Sequence, residues 1–285
     1  MSEPEDRYYE SSRLRLHYAV WGDESKPPLL LVHGSRDHAR SWDFVAERLT
    51  DRFCVYAPDL RGHGDSDWAI GGPYSVASYV ADLAKLVEVI DSGPVHLVAH
   101  SLGGRIALDY ASAFPDRVAK LVAIEGFGRV GSADPPADRL RRFVASVREL
   151  EQREPHHYPT LAAAEERMQE ANKRLSPEMV EHLTKHAVRR LEDGSYVWKF
   201  DNYMRLTPAP EWTPDDTTAL WKQITAPTLH IGGSDSWGKR FPDGRETMTR
   251  AVPNERTVLV QGAGHWVHHD QLNEFVRLVR EFFEV

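Results

Sequence analysis

The hydrophobic positions of this chain form short apolar runs that alternate with longer amphipathic segments. The short runs predict strands at residues 14–21, 28–34, 53–59, 94–100, 117–125, 226–233 and 256–262. Between them, apolar residues recur at steps of three and four positions, which predicts helices at residues 41–49, 76–90, 102–114 and 269–283. Strands that alternate with helices are typical of a mostly parallel sheet covered by helices. The pattern therefore predicts an α/β fold.

The alternation stops between residues 126 and 223. This stretch opens with the glycine- and proline-rich run FGRVGSADPPADR, continues with polar amphipathic helical patterns and closes with RLTPAPEWTPDD. We therefore predict a core domain formed by residues 1–125 and 224–285, with residues 126–223 inserted as a helical cap. Such a cap would cover the carboxyl edge of the sheet and select the substrate. Its aromatic residues supply its own small core and an apolar pocket: Tyr158, Trp198, Phe200, Tyr203, Trp212 and Trp221.

Composition and charge exclude several classes of function. The 285 residues include 35 basic and 43 acidic side chains, for a net charge of -8, which gives no electrostatic reason to expect nucleic acid as a partner. No segment approaches the roughly 18 apolar residues of a membrane span, and the polar amino terminus lacks the apolar core of a signal peptide. We expect a cytoplasmic monomer or homodimer. Neither phosphate-loop glycine motifs nor HExxH or paired CxxC spacings occur, so we expect no cofactor and no metal.

Ser101 lies in the run VAHSLGG, where a predicted strand ends and a predicted helix begins. A nucleophile at such a junction occupies a sharp, strained turn that lifts its hydroxyl clear of the sheet. The small residues Ala99 and Gly103, two positions to either side, let the strand and helix approach each other. Serine is also a favoured helix N-cap, which is the structural alternative at this position. The strand before it and the helix after it favour the nucleophile.

Five motifs together resemble the α/β-hydrolase superfamily, and more narrowly its capped esterase- and lipase-like members. They are the HG of LVHGSRDHARSWD and the runs PDLRGHGDSD, VAHSLGG, IGGSDSW and GAGHW. The resemblance implies the α/β-hydrolase fold and a serine hydrolase that cleaves small or medium hydrophobic carboxylic esters through an acyl-enzyme. It also implies an oxyanion hole made by the backbone N–H groups of Leu102, after the nucleophile, and of Ser35, after the HG motif.

The resemblance further implies the partners of Ser101. His265, in the loop after the last predicted strand, takes the position of the general base. Asp235, in GGSDS, occupies the usual position of the triad acid and is the favoured candidate. Glu125 ends the strand after the nucleophile helix, from which a subset of relatives, including many haloalkane dehalogenases, take their acid. Because a buried carboxylate there needs a partner, Glu125 stays open as an alternative or supplementary acid, or as a salt-bridge partner of an arginine such as Arg129.

The remaining histidines near these motifs are interpreted as supporting residues. His33, His63 and His100 shape the turns that carry them, whereas His268 and His269 cap the last helix or lie on its surface.

The chemistry of the substrate stays open within this framework. The same triad serves lactone, amide and carbon–carbon bond hydrolysis, and a catalytically silent ligand-binding receptor of the same fold is a further alternative. Haloalkane dehalogenases and epoxide hydrolases of this fold use an aspartate nucleophile. Since Ser101 takes its place here, those two activities are disfavoured.

Overall fold

The main sheet contains eight strands in the computed structural model, which describes residues 3–72, 74–90, 93–126, 134–206, 212–236, 246 and 249–285. Its strands are β1 (Glu5–Ser11), β2 (Leu14–Trp21), β3 (Pro28–Val32), β4 (Cys54–Pro58), β5 (Val95–His100), β6 (Val118–Ile124), β9 (Thr228–Gly233) and β10 (Glu255–Val260), while β7 (Val188–Arg190) and β8 (Tyr196–Trp198) pair separately. The order across the sheet is β1-β2-β4-β3-β5-β6-β9-β10. The β1–β2 and β2–β4 pairs are antiparallel, whereas β4, β3, β5, β6, β9 and β10 run parallel to one another. The predicted α/β fold class is confirmed.

Helices cover both faces of this sheet. On one face lie α2 (Val76–Ile90) and α3 (Leu102–Ala113), and on the other lie α1 (Asp43–Ala46), α8 (Val267–Asp270) and α9 (Leu272–Phe283). The central strand β3 contributes Leu30 and Val32 to one core and Leu29 and Leu31 to the other, all fully buried. The sequence of a parallel strand that is buried on both faces is an unbroken apolar run, and for this reason β3 could be predicted.

The structure differs from the sequence prediction in one additional strand and in the bounds of two helices. β1 was not predicted because its sequence, EDRYYES, is mostly polar, as befits an edge strand that pairs only with β2. The helix predicted at 41–49 is a short 3-10 turn, Ala39–Trp42, followed by α1. The helix predicted at 269–283 divides at Gln271 into α8 and α9.

Between β6 and β9, the described residues form helices α4 (Pro136–Glu151), α5 (Leu161–Ala171), α6 (Pro177–Ala187) and α7 (Pro214–Trp221), together with the β7–β8 pair. This part of the chain contacts loops at the main sheet: the Leu183 carbonyl lies 3.1 Å from His38 Nε2, and the Asp201 N–H donates to the Gly62 carbonyl at 2.8 Å. Trp221 of α7 is fully buried under α3 rather than available to a substrate pocket, and its Nε1–H donates to Asp109 at 2.8 Å. Across the described ranges, no helix combines the length and apolar character needed to cross a membrane.

The order of the strands reverses at β3, and the loops on either side of this reversal meet at the carboxyl edge of the sheet. After β3 the chain continues to β4 on one side, whereas β5 lies on the other side of β3. In open α/β sheets, ligands bind at such a reversal of strand order. The loop after β3 carries the HG motif and the loop after β5 carries Ser101, and the two motifs meet here, with Gly34 against His100 and Ser101.

Candidate active site

Ser101 occupies a strained turn between β5 and α3. Its φ and ψ angles of 52° and −113° lie in a region that L residues rarely adopt, and its N–H donates to the Ile124 carbonyl at 2.8 Å. The turn depends on close packing of the helix, because a Cβ at Gly103 would overlap the backbone carbonyls of Val32 and His33. A Cβ at Gly104 would likewise meet the backbone of β6's exit loop. The strain and the glycines together hold the serine hydroxyl at the end of the strand.

His265 lies beside this hydroxyl. Its Nε2 is 3.0 Å from Ser101 Oγ, which is hydrogen-bonding distance, although the two residues are 164 positions apart in the chain. His265 follows β10 in a loop whose Gly264 N–H donates to the Asp270 carboxylate at 2.7 Å. The structure thus brings together the two residues that the sequence proposed as nucleophile and base.

Glu125 is the carboxylate that the structure brings to His265. Its Oε2 lies 3.7 Å from His265 Nδ1, and the glutamate is only 6% exposed. The carboxylate also accepts the Gly233 N–H and the Ser236 hydroxyl, each at 2.8 Å. Burial acts to raise the pKa of Glu125, but the contact with His265 and these two donors outweigh it and lower the pKa, which keeps the group ionised. Glu125, which faces the imidazole, also has a positive φ, of 51°.

Asp235 points elsewhere in the structure. Its Oδ2 pairs with Arg174 of the inserted segment at 3.0 Å, its Oδ1 accepts the Ser234 hydroxyl at 3.0 Å, and its side chain is 48% exposed. The sequence favoured Asp235 for the position beside His265, and the structure has Glu125 there instead. The reason lies in contacts between distant segments: the β9 exit loop aims the Gly233 N–H and Ser236 hydroxyl at Glu125, and Asp235 turns outward to Arg174. Arg129, the arginine considered as an alternative partner of Glu125, lies outside the described residues.

The loop after β3 provides one proposed oxyanion donor. Ser35 is exposed next to buried His33, whose Nε2 accepts the Leu60 N–H at 3.0 Å and whose Nδ1 lies 2.7 Å from the Gly34 carbonyl. Burial lowers the pKa of His33 to about 4, so it stays neutral and can accept that hydrogen bond at neutral pH. The other proposed donor, the Leu102 N–H, begins α3, where the first N–H groups of a helix have no acceptor within the helix.

Sequence analysis missed two features near the site. The first is that the Ser236 hydroxyl and the Gly233 N–H donate to Glu125. The run IGGSDS gave no indication of which carboxylate these donors would face. His268 and His269 were expected to cap the last helix or lie on its surface, whereas both are buried in α8, at 0% and 5% exposure. Short helices between two loops carry too little periodicity for burial to be predicted.

Comparisons with known proteins agree with this architecture. The model of the alpha/beta hydrolase family matches residues 29–278, so the chain belongs to that family. Esterase Rv0045c of Mycobacterium tuberculosis is 28% identical over 267 residues, which cover 91% of this chain and 83% of that protein. Lipase LipV of the same organism is 39% identical over 110 residues, 39% of this chain and 41% of LipV. Among solved structures, the thioesterase domain from the curacin biosynthetic pathway has a TM-score of 0.85 at 23% identity, covering 98% of this chain and 99% of that one.

The predicted superfamily membership is therefore confirmed. The chain is a hydrolase of the alpha/beta hydrolase family, with esterase- and lipase-named relatives at modest identity.

Proposed function

We propose that the protein hydrolyses carboxylic esters with Ser101 as nucleophile, His265 as general base and Glu125 as the acid that orients the base. The single observation that carries this proposal is the continuous chain of contacts from the Ser101 hydroxyl through His265 to the buried Glu125 carboxylate. The esterase and lipase names of the relatives support the choice of ester over other acyl compounds.

The proposed reaction begins when His265 Nε2 takes the Ser101 proton as the serine oxygen attacks the ester carbonyl. The imidazolium that forms is stabilised by the ionised Glu125 on its Nδ1 side, which also fixes the tautomer with a free Nε2 lone pair. Negative charge develops on the carbonyl oxygen during this attack, and the backbone N–H groups of Leu102 and Ser35 are the proposed donors that stabilise it. His265 then delivers the proton to the leaving alcohol, and water releases the acid from the acyl-enzyme by the same steps.

A 3.7 Å separation between Glu125 and His265 is longer than a hydrogen bond. Contacts within catalytic sets are often long before substrate binds and shorten in the transition state. In this proposal the strengthening of that contact, as His265 becomes charged, is part of the transition-state stabilisation.

The substrate we propose is a small or medium hydrophobic ester, selected by the inserted segment 126–223 acting as a cap. Tyr158 and Trp198 pack together inside that segment, with Trp198 Nε1–H donating to the Tyr158 hydroxyl at 3.0 Å. Tyr203, with 38% exposure, and Phe200, which pairs with the His63 backbone, remain as candidate pocket residues. The cytoplasmic location and the monomeric or homodimeric state stay predictions.

The proposal is tested with p-nitrophenyl esters from acetyl to dodecanoyl and with a fluorophosphonate probe. We expect stoichiometric labelling of Ser101, and a drop in kcat of at least about 10³-fold for Ser101→Ala at unchanged Tm. Labelling without ester turnover would point to a lactone, amide or carbon–carbon bond substrate, for which the same wild-type and variant pair is assayed. Absence of labelling in folded wild-type protein would favour the silent receptor and overturn the proposal.

A further inference from the structure

The helical hairpin formed by α5 and α6 contacts the loop of the proposed general base on both sides of His265. Before the histidine, the guanidinium of Arg174, which lies between the two helices, packs over Gly264: a Cβ on that glycine would stand 3.1 Å from Arg174 Nη1. After the histidine, Trp266 packs against the apolar cluster of the hairpin, which contains Met168, Leu175, Met179, Val180 and Leu183. The hairpin therefore holds the residue before the base and the residue after it.

Arg174 meets two carboxylates at this point. Its Nη2 lies 3.0 Å from Asp235 Oδ2, in the exit loop of β9. Asp270, which ends α8, has its Oδ2 3.1 Å from the same Cβ position of Gly264, and this oxygen accepts the Gly264 N–H at 2.7 Å. Burial raises the pKa of Asp270, and the charge of Arg174 opposes that rise, so the guanidinium favours the ionised carboxylate. One side chain thus joins the exit loop of β9 to the loop that carries the base.

The exit loops of β9 and β10 also pack backbone against backbone beneath this guanidinium. A Cβ on Gly233 would overlap the carbonyl oxygens of Ala263 and Gly264, and the Asp235 N–H donates to the Ala263 carbonyl at 2.9 Å. Gly233 in turn donates its N–H to Glu125 at 2.8 Å. A shift of either loop would therefore move both a donor that holds the proposed acid and the loop that carries the proposed base.

We propose that Arg174 is a positioning residue for the proposed reaction: it holds the two exit loops together and thereby fixes the His265 imidazole between Ser101 and Glu125. Asp235 gains a role in this arrangement, because the carboxylate at the usual position of the triad acid anchors the hairpin of α5 and α6. Arg174 acts through the loop that contains Gly264 and has no proton to transfer. The inference rests on the proposed function, since a positioning role is defined by the reaction that the base performs.

The ion pair of Arg174 contributes position more than stability. Arg174 and Asp235 are about half exposed, and such pairs add little to the free energy of unfolding. The reaction is more sensitive to position, because His265 Nε2 lies 3.0 Å from Ser101 Oγ and a misplacement of about 1 Å can reduce a rate about 10²-fold. For Arg174→Gln we therefore expect kcat to fall about tenfold or more, with KM and Tm nearly unchanged.

The experiment compares wild-type protein with Arg174→Gln, Arg174→Lys and Lys199→Gln. Lys199→Gln is the matched control, because Lys199 forms another ion pair between the segment that joins β6 to β9 and a loop at the main sheet, 2.8 Å from Asp65 Oδ1. The measurements are kcat and KM for p-nitrophenyl butyrate and the rate of fluorophosphonate labelling, with circular dichroism to verify folding. We expect both rates to fall in Arg174→Gln, to recover in part in Arg174→Lys, which keeps the charge, and to stay at the wild-type value in Lys199→Gln.

Three kinetic results would overturn the inference. The first is an unchanged kcat and labelling rate in folded Arg174→Gln. The second is a rise in KM at unchanged kcat, which would place Arg174 in substrate binding rather than in the positioning of the base. The third is an equal loss in Lys199→Gln, which would indicate that any loosening of this part of the chain slows the reaction.

Hydrogen exchange measured by mass spectrometry tests the anchoring without a substrate. We expect peptides that cover residues 261–271 to exchange faster in Arg174→Gln than in the wild type or in Lys199→Gln, because the loop opens more often when its anchor is removed. Absence of labelling in folded wild-type protein would overturn the proposed function and the positioning role with it. Unchanged exchange in Arg174→Gln, with wild-type labelling intact, would overturn only the inference about Arg174.

Discussion

The comparison of Glu125→Gln with Asp235→Asn distinguishes the two carboxylates in one assay. Glutamine has nearly the shape of Glu125, so its oxygen can still accept the Gly233 N–H or the Ser236 hydroxyl. Its NH₂ group then faces His265 Nδ1 and donates to it, which moves the imidazole proton to Nε2. A protonated Nε2 points at Ser101 and cannot take its proton. We expect kcat to fall about 10³- to 10⁴-fold, or about 4 to 5.5 kcal/mol of transition-state stabilisation, since the equivalent acid-to-amide change in a serine protease costs about 10⁴-fold.

Asp235→Asn is the matched control because it makes the same chemical change at a carboxylate that the structure pairs with Arg174. Both side chains of that ion pair are about half exposed, at 46% and 48%. Exposed pairs contribute about 1 kcal/mol or less, so we expect kcat to change by less than about fivefold.

The assay is steady-state hydrolysis of p-nitrophenyl butyrate, with fluorophosphonate titration to count active sites and circular dichroism to verify folding. The tautomer argument also predicts that Glu125→Asp, which keeps the charge, recovers part of the rate that Glu125→Gln loses. A large loss for Asp235→Asn together with a small loss for Glu125→Gln would refute the assignment.

Three further measurements test the packing and electrostatics around the site. Gly103→Ala places a methyl group against the backbone carbonyls that end β3 and should cost about 1–3 kcal/mol of stability, whereas Gly93→Ala enters open space; equal Tm values for the two would contradict the packing argument. Trp221→Ala should cost about 3–5 kcal/mol in urea denaturation, because this side chain is fully buried, and a loss below about 1 kcal/mol would be inconsistent with its place under α3. The free energy of unfolding should also decrease as the pH drops below about 6.5, because histidines bind protons in the unfolded chain but stay neutral where they are buried in the folded one. Burial raises the pKa of Asp37 to about 7, so this group binds one proton in the folded state and opposes the trend. A urea midpoint at pH 5 equal to that at pH 7 would contradict the prediction. Burial lowers the pKa to about 4 for His33 and to about 3 for His38, His63 and His269.

Much of the fold could be predicted because its central strands are buried on both faces. The run that became β3 is apolar without interruption, and those that became β5 and β6 are interrupted only at His96, His100 and Lys120, which is typical of strands covered by helices on both faces. The short pair β7–β8 and the edge strand β1 escaped prediction, since each has a polar face and few residues with which to show a period.

Some residues of the candidate site were predictable from their neighbours in the chain, and others depend on contacts between distant segments. The sequence by itself singled out Ser101, because a strained turn between a buried strand and a helix requires small neighbours that are adjacent in the chain. His265 was implied by its motif, and the structure has it 3.0 Å from the serine.

The choice between Glu125 and Asp235 was made only by the tertiary structure. It depends on donors 108 and 111 residues away from Glu125 and on an arginine 61 residues away from Asp235, which together turn one carboxylate inward and the other outward. The same holds for the buried residues Asp37, His100 and His268, which lie after β3, at the end of β5 and in α8 and come together only in the folded chain. A sequence reports which groups are present, but the direction in which a side chain points at a loop is fixed by neighbours that the chain reaches only by folding.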